Sequence, residues 1–483
     1  MISGKEVKVI DKSSEYFGVP TINLMENAGK GVADFVINQL NSENKKIIVF
    51  CGTGNNGGDG FVAAMYLAKT CMVSVFLTGD KVKTDNAKEN FAKLKKHDIK
   101  IHNDLNKVDS LLGENGIVID SMLGIGLMGE LRDPFSTIVK KINSVKDKTI
   151  ISVDVPTGLG TNLAIQPDYT VTFHDVKEEM NKDNSGDIHI VDIGIPKDAV
   201  KYVGPGELSV YYPRPKKQSH KGENGSVLII GGGPYTGAPG LSGLAALRTG
   251  ADLVFIATPK RCWQAIASFS PNLIVKDLNS DILTSEDVPT IREILNKCDS
   301  VVIGPGLGVS KETEESILKI VELVINKDKS LVIDADAIKP IGNKTALLKR
   351  SKTVVTPHVG EFKKLTGVDL SKDVESRIET VRMWAERLDI AIFLKAPIDI
   401  LSNGKDAKLN KIHNEAMTVG GTGDVLAGII GALLSKGVEP YNAIRIAAFL
   451  NGEAGNEAFV KKSYGLLATD VIEEIPAVLK KYL

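Results

Sequence analysis

Short, continuous apolar runs rich in Val and Ile alternate along this chain with stretches of helical period. The runs Lys46–Cys51, Met72–Leu77, Ile117–Asp120, Thr149–Val153, Tyr169–Phe173 and Ile188–Asp192 read as strands of a parallel sheet, buried on both faces. Helical stretches such as Phe61–Lys69 and Asp85–Lys96 lie between them. This βαβ rhythm predicts an open α/β sheet. It stops at Tyr211-Tyr212-Pro213-Arg214-Pro215-Lys216-Lys217, where two closely spaced prolines exclude a sheet or helix interior. It restarts with Ser226–Ile230, Asp252–Ala257, Ser300–Ile303, Ser330–Ile333, Thr353–Thr356 and Ala391–Lys395. The spacing predicts two α/β domains, residues 1–212 and 220–483, joined by a linker at 213–219. A chain of 483 residues exceeds one ordinary core and agrees with that division.

Composition narrows the function classes. Hydrophobic residues make up 43% and charged residues 25%, which excludes disorder along the whole chain. Lys+Arg is 59 against Asp+Glu 60, a formal net charge of -1, and offers no global field for nucleic acid or an anionic membrane. The four cysteines, Cys51, Cys71, Cys262 and Cys298, form no CxxC pair and no metal-ligand spacing with His. Reduced thiols of a cytoplasmic protein are expected. Met1 to Pro20 is charged and lacks an apolar signal region, and no run approaches the length of a membrane span. Apolar helices such as Ala443–Leu450 fit a core or a subunit interface, and a homo-oligomer is expected.

In the first half, Lys46–Cys51 runs into Gly52-Thr53-Gly54-Asn55-Asn56-Gly57-Gly58-Asp59-Gly60, which contains G-x-G-x-x-G ahead of a helical stretch. Glycines there let the backbone approach a phosphate, and the helix start aims free N–H groups at the anion. Asp80, near the end of the next strand, stands where a ribose-binding acid would. Spacing alone fits either a dinucleotide loop or a ligand-free turn. The inserted Asn55, Asn56 and Asp59 are more polar than a turn requires and supply oxygens to a ligand or a hard cation. Two further strands end in Asp120-Ser121-Met122-Leu123-Gly124-Ile125-Gly126 and Asp154-Val155-Pro156-Thr157-Gly158. Each Asp taken singly also fits a helix cap. Three polar strand ends at one sheet edge predict a single site.

In the second half the polar elements again follow strands: Gly231-Gly232-Gly233, Gly304-Pro305-Gly306-Leu307-Gly308, Asp334-Ala335-Asp336 and Thr356-Pro357-His358. The strongest signal is Gly420-Gly421-Thr422-Gly423-Asp424 before the apolar helix Val425–Leu434. Successive N–H groups at a helix start form an anion hole, and a carboxylate at its mouth can take a proton from a hydroxyl while the hole holds a transferring phosphoryl group.

The first set of motifs, with Asn23-Leu24-Met25-Glu26-Asn27-Ala28-Gly29 near the start, resembles the NAD(P)H-hydrate epimerase domain of the bifunctional NAD(P)H-hydrate repair enzymes, over roughly residues 1–210. The second set, with Phe393-Leu394-Lys395-Ala396-Pro397, resembles the ADP-dependent NAD(P)H-hydrate dehydratase of the same enzymes, a member of the ribokinase-like superfamily, over about 215–483. The resemblance implies a Rossmann-like three-layer domain followed by a ribokinase-like α/β domain. It implies interconversion of R and S hydrates, and dehydration of the S form to NAD(P)H with ADP giving AMP and phosphate. By resemblance, Asn55, Asn56, Gly57, Gly58, Asp59, Gly124, Ile125, Gly126, Leu127, Met128, Gly129 and Glu130 hold the damaged dinucleotide, and Asp154 touches it and handles the proton. The same resemblance implies that Asn56, Asp120 and Thr157 would coordinate potassium. It implies that Ala238, Gly306, Gly308, His358 and Asp424 would face the hydrate in the second domain, with Asp424 as base. It implies that Lys395, Ala396, Pro397, Ile398, Asp399 and Gly423 would bind ADP, whose phosphates would carry magnesium. The chain departs from the family's pattern in a short 159–167 loop, at Val176–Met180, and at Ala396, where the family often has Gly. The rival reading keeps the folds and makes the second domain an ATP-dependent kinase for a vitamin alcohol, fused to a nucleotide-binding regulatory module. Ligands in either case are small molecules, with no nucleic acid or membrane partner.

Overall fold

In the computed structural model, which describes residues 1–126, 129–342 and 344–483, the chain divides into two compact units at Val200–Lys201. The first holds a parallel sheet of strands β1 Lys46–Cys51, β2 Met72–Leu77, β3 Lys100–His102, β4 Ile117–Ser121, β5 Thr149–Val153, β6 Tyr169–Phe173 and β7 Asp187–Val191. They lie in the order β3-β2-β1-β4-β5-β6-β7. Alternate residues of β1 feed opposite cores, because successive side chains of a strand point to opposite faces. Ile47, Val49 and Cys51 pack under helices Thr21–Leu40 and Asn55–Leu67, while Ile48 and Phe50 pack under Val108–Glu114 and Phe135–Ser144. The result is a three-layer, doubly wound unit. The strand order reverses between β1 and β4, and there a crevice opens at the carboxyl ends. Gly52 closes that point: a Cβ on it would fall inside the Met122 carbonyl oxygen.

The second unit has β8 Ser226–Ile230, β9 Leu253–Thr258, β10 Ile274–Asp277, β11 Ser300–Ile303, β12 Ser330–Ile333, β13 Thr353–Val355, β14 Ala391–Leu394, β15 Asp399–Ser402 and β16 Ala407–Asn410. The sheet runs β10-β9-β8-β11-β12-β13-β14-β15-β16. All neighbours are parallel up to β14, and β15 and β16 add an antiparallel edge. Val227 and Ile229 face a core with helices Gly237–Arg248, Thr422–Ser435 and Pro440–Lys462, and Leu228 and Ile230 face the other layer. Ala443–Leu450 is buried, and apart from Arg445, which pairs with Glu207, it lies in the first of these cores. No helix among the described residues is long and apolar enough to cross a membrane.

The division falls ahead of the proline stretch expected to mark it. Helix Pro205–Tyr211 precedes those prolines yet belongs to the second unit. Leu208 is buried in its core, and the fully buried Glu207 carboxylate accepts from Lys408 Nζ at 3.2 Å and Arg445 at 3.1 Å. Residues 214–218 are exposed and irregular, so the prolines mark a surface connection inside the second unit. The antiparallel hairpin β15–β16 and the short strands β3 and β10 carry too few apolar residues to stand out in the sequence.

Helices Gly237–Arg248 and Thr422–Ser435 cross at glycine. A Cβ on Gly428 would overlap the Ser242 backbone carbonyl, and Ser242 Oγ donates to the Asp424 carbonyl at 2.8 Å, fixing the first turn of the second helix. Gly428→Ala should force the helices apart and lower the unfolding free energy by about 1–3 kcal/mol, the usual cost of overpacking. Urea denaturation of the full chain measures this; an unchanged midpoint would show that the crossing accommodates a methyl group.

Candidate active sites

In the first unit a cavity of about 520 Å³ occupies the crevice beside β1 and β4. The helix after β1 begins at Asn55 because Gly54, in extended conformation, caps it and leaves its first N–H groups facing the cavity. Asn55, Asn56, Asp59, Gly124, Ile125, Gly126 and Asp154 all line it. Asp154 follows β5 in the left-handed conformation, φ 66°, a strained state for a non-glycine residue. Its backbone N–H donates to Val171 O at 2.8 Å, and its carboxylate is ion-paired with Lys177. Lys177 is 4% exposed, and its other donors reach Thr172 Oγ1 at 2.8 Å and Phe173 O at 3.0 Å. Two more carboxyls line the cavity. Burial, reinforced by the Asp154 charge, pushes Asp11 up to about 6. Burial and the same charge push Asp59 well above the usual carboxylate range. The buried Lys177 ammonium, with Lys8 also on the lining, thus faces three carboxyl groups, and two of these keep protons more readily than free acids do.

Beside this cavity, Asp120 is fully buried at the end of β4. It accepts from Thr157 Oγ1 at 2.6 Å, Thr157 N at 2.8 Å and Ser152 Oγ at 3.0 Å. Burial pushes its carboxyl up, and these bonds oppose the shift. The Asn56 amide lies against Gly124, and its Nδ2 is buried without a hydrogen-bond partner. The two ends of an amide are interchangeable in placement. An oxygen turned to that position would be an acceptor with no donor, which suits a weakly hydrated cation. Asn56, Asp120 and Thr157 therefore fit a potassium site by their chemistry.

In the second unit, residue Gly421 adopts φ 100° and starts the helix Thr422–Ser435, bringing Asp424 into its first turn. Burial first, then the charges of Asp334 and Asp336, push Asp424 up to about 7, with Lys395 opposing them. Lys395 follows β14; its Nζ bonds Asp334 Oδ1 at 2.9 Å and lies 4.0 Å from Glu361 Oε2. A cavity of about 890 Å³ is lined by His358, Lys395, Ala396, Pro397, Asp399 and Gly423. Its wall also includes Asn410, His413 and Asn451. Ala396 has no positive φ, so alanine stands there without strain, and its N–H donates to Asp399 Oδ1 at 2.9 Å. His358 Nδ1 caps the helix Val359–Thr366 by accepting from Gly360 N at 3.0 Å, leaving Nε2 to carry the proton.

The segment 227–477 matches the family described as NAD(P)H-hydrate dehydratase, and 21–179 matches the YjeF-related protein N-terminus. A bifunctional NAD(P)H-hydrate repair enzyme of Methanocaldococcus jannaschii is 40% identical, the alignment covering 99% of this chain and 94% of the relative. The corresponding enzyme of Hyperthermus butylicus is 39% identical over 99% of this chain and 92% of its own. The chain belongs to the bifunctional NAD(P)H-hydrate repair enzymes. A crystal structure of a ribokinase-like superfamily protein from Enterococcus faecalis superposes on 58% of this chain and 96% of its own, at 26% identity and a TM-score of 0.50. The two folds are thus the Rossmann-like and ribokinase-like ones of this repair-enzyme family.

Not every residue singled out in the sequence of this repair-family member reaches a cavity. Gly57 packs on Gly52 and Gly58 on Met25, so both shape the loop and do not line it. Glu130 is exposed and accepts from Asn162 at 3.2 Å, and Gly129 is also off the lining. Leu127 and Met128 lie outside the described residues. Asp80 is exposed and is not on the cavity lining, although Gly79 before it packs against Thr53 of the glycine loop. Ile398 packs into the core. Asp424 is not on the wall of the larger cavity, although Gly423 before it is, and Ala238, Gly306 and Gly308 also lie off it, clustered together: a Cβ on Gly306 would be 3.3 Å from that of Ala238, and Gly308 N–H donates to Asp336 at 2.8 Å. Sequence reasoning missed Asp11 and Lys177. The signal for Asp11 is a carboxyl at helical spacing from Val7, Ile10 and the buried Ser14 on helix Gly4–Tyr16; Lys177 is a lone Lys soon after β6.

A carboxyl raised in the folded state keeps its proton while the unfolded chain has lost it. Its stabilising contribution is complete below the unfolded value near 3.8 and is lost as pH rises through about 6 for Asp11. Asp11→Asn should therefore raise the melting temperature more at pH ~8 than at pH ~5. Thermal unfolding at both values checks this; an equal effect at the two would show that Asp11 is not a buried acid.

Proposed function

We propose that this chain repairs hydrated nicotinamide cofactors. Its first unit interconverts the R and S hydrates of NADH and NADPH. Its second converts the S hydrate to NAD(P)H while ADP becomes AMP and phosphate. The reading rests on one observation: a chain aligned over 99% of its length with bifunctional repair enzymes carries in its first unit a cavity lined by Asp11, Asp59 and Asp154, and in its second a cavity whose wall reaches Gly423, the residue before Asp424. The kinase-plus-regulator alternative has no such support, because both family matches occur together on one chain.

In the first site, Asn55 to Asp59 and Gly124 to Glu130 hold the dinucleotide, with the helix start at Asn55 facing its phosphates. Asp154 is the proton-handling carboxylate at C6, its direction set by Lys177. The C6 hydroxyl takes a proton and leaves as water, with the positive charge shared by the ring nitrogen. Water then adds to either face and returns a proton. Asn56, Asp120 and Thr157 hold a potassium ion, which when bound supplies a fixed positive charge beside the dinucleotide loop.

In the second site, Ala238, Gly306, Gly308, His358 and Asp424 face the hydrate, and Lys395 to Asp399 with Gly423 take the ADP. Asp424 removes the C6 hydroxyl proton as that oxygen attacks the β-phosphorus of ADP, and AMP leaves. The N–H groups opening helix Thr422–Ser435 face the transferring group. Loss of a C5 proton and departure of phosphate then restore the C5–C6 double bond. Among the described residues no three His, Cys, Asp or Glu gather as a metal cage. A magnesium ion, when bound, would neutralise the charge of the nucleotide phosphates. We place the chain in the cytoplasm as a homo-oligomer; its four buried, unpaired thiols suit a reducing compartment.

The test is recovery of NADH absorbance from a mixture of both hydrates with ADP. Asp424→Asn should cut dehydration by about 10²–10⁴ while nucleotide still binds. Asp154→Asn should give a biphasic curve, fast for S and then limited by spontaneous R-to-S exchange. A single fast phase would remove Asp154 from the epimerase role, and ATP-only phosphorylation of an alcohol would overturn the whole reading. Exchanging K+ for Na+ should slow the R phase alone, and Asp120→Ala should abolish that ion dependence; equal loss of both phases in Asp120→Ala would show a structural role instead.

A further inference from the structure

Lys395 stands at the mouth of the helix that carries Asp424. Its Nζ is 3.5 Å from the point where a Cβ on Gly423 would lie. The charged groups around this mouth come from every neighbouring element. Asp334 and Asp336 follow β12, His358 and Glu361 sit at the start of helix Val359–Thr366, and Asp424 lies in the first turn of Thr422–Ser435. Asp399 opens β15 beyond the lysine. Lys395 bonds Asp334 at 2.9 Å and approaches Glu361; its ion-pair partners among the described residues do not include Asp424.

Asp334 is built to hold that position. It is 2% exposed, and the same Oδ1 that accepts from Lys395 also accepts the Thr356 hydroxyl at 2.6 Å. The carboxylate follows β12 and stays bonded to Thr356, after β13, when the bond to Lys395, after β14, is broken. Released from it, the flexible four-carbon arm of Lys395 would have Asp424 and Glu361 as its nearest counter-charges. Pairing with Asp424 would occupy the base and withdraw the ammonium from the anion hole.

We propose that Asp334 is a positioning residue of the second site: it pins the Lys395 ammonium at the mouth of the glycine-led helix, against the group being transferred, and keeps it off Asp424. This rests on the dehydratase reading above. The assignment has a signed consequence. Asp424 must be ionised to act, so dehydration rises with pH through its midpoint, about 7. Asp334→Asn removes a neighbouring negative charge and frees the lysine, and both effects favour the ionised form of Asp424. The acid limb moves to lower pH, and the weaker base lowers the plateau. Lys395→Gln removes the positive charge and moves the limb to higher pH.

The experiment is the rate of S-hydrate dehydration with ADP by the full-length chain between about pH 5 and about pH 9, followed by NADH absorbance. The midpoint in Asp334→Asn should fall by about one unit or more, the size of shift a nearby charge produces, with a plateau about tenfold lower. Asp334→Glu, which restores the charge, should return the midpoint toward wild type. An Asp334→Asn variant that melts like wild type and keeps its midpoint overturns the proposal. If Asp334→Asn fails to fold, the sign in Lys395→Gln decides: an upward shift supports the assignment, and no shift or a downward one rejects it. A wild-type chain unable to dehydrate S hydrate removes the dehydratase reading and this inference together. A wild type that dehydrates, with unmoved midpoints in the variants, removes only the inference.

Discussion

In each half of this chain an ammonium group is tied to a carboxylate at the carboxyl edge of a parallel sheet, with further carboxyls around it. In the first half Lys177 spends its donors on Asp154, Thr172 and the Phe173 carbonyl. In the second Lys395 is held by Asp334 beside Glu361. Taking carboxylates out of water is costly unless each has a counter-charge, and one ammonium offsets only one. The surplus acids meet that cost by holding protons: Asp11 and Asp59 in one site, Asp424 in the other. Groups able to exchange protons near neutral pH thus arise from an imbalance of buried charge, produced by ordinary aspartates.

The sheets supply the place for that imbalance. Strand order reverses between β1 and β4 in one unit and between β8 and β11 in the other. At such a reversal the connecting helices depart to opposite faces, and the strand ends leave a crevice. The loops across it are held close by residues without side chains, as at Gly52 against Met122. A helix start at the crevice adds unpaired N–H groups, so an anionic ligand and a titratable carboxyl share one edge. The two units reach this arrangement with different motifs, Asn-rich in the first and Gly-Thr-Gly-Asp in the second.

Much of the site was legible because its residues follow strands directly. A Val/Ile run that ends in Asp or Gly places that residue at the ligand edge whatever the rest of the fold does, and Asp120, Asp154 and Asp334 could be singled out on that ground, whereas Asp424 stood out by the glycine run that opens its helix. The domain boundary was less legible. Prolines at 213 and 215 are a strong local mark, but helix Pro205–Tyr211 joins the second unit through Leu208 and the buried Glu207, a fact of packing with no local signal.

By itself the sequence determined two doubly wound α/β units, the polar loops at their strand ends, and the family whose motifs those loops carry. These follow from patterns a few residues long, where hydrophobic periodicity and turn chemistry act locally. Tertiary structure alone decided which charges meet. Lys177 turns back onto Asp154 across β6, Asp11 arrives from the N-terminal helix, and Asp334 takes Lys395 across the ends of β13 and β14. Burial and proximity set proton affinity and direction, and both depend on segments far apart in the chain, so no local pattern encodes them.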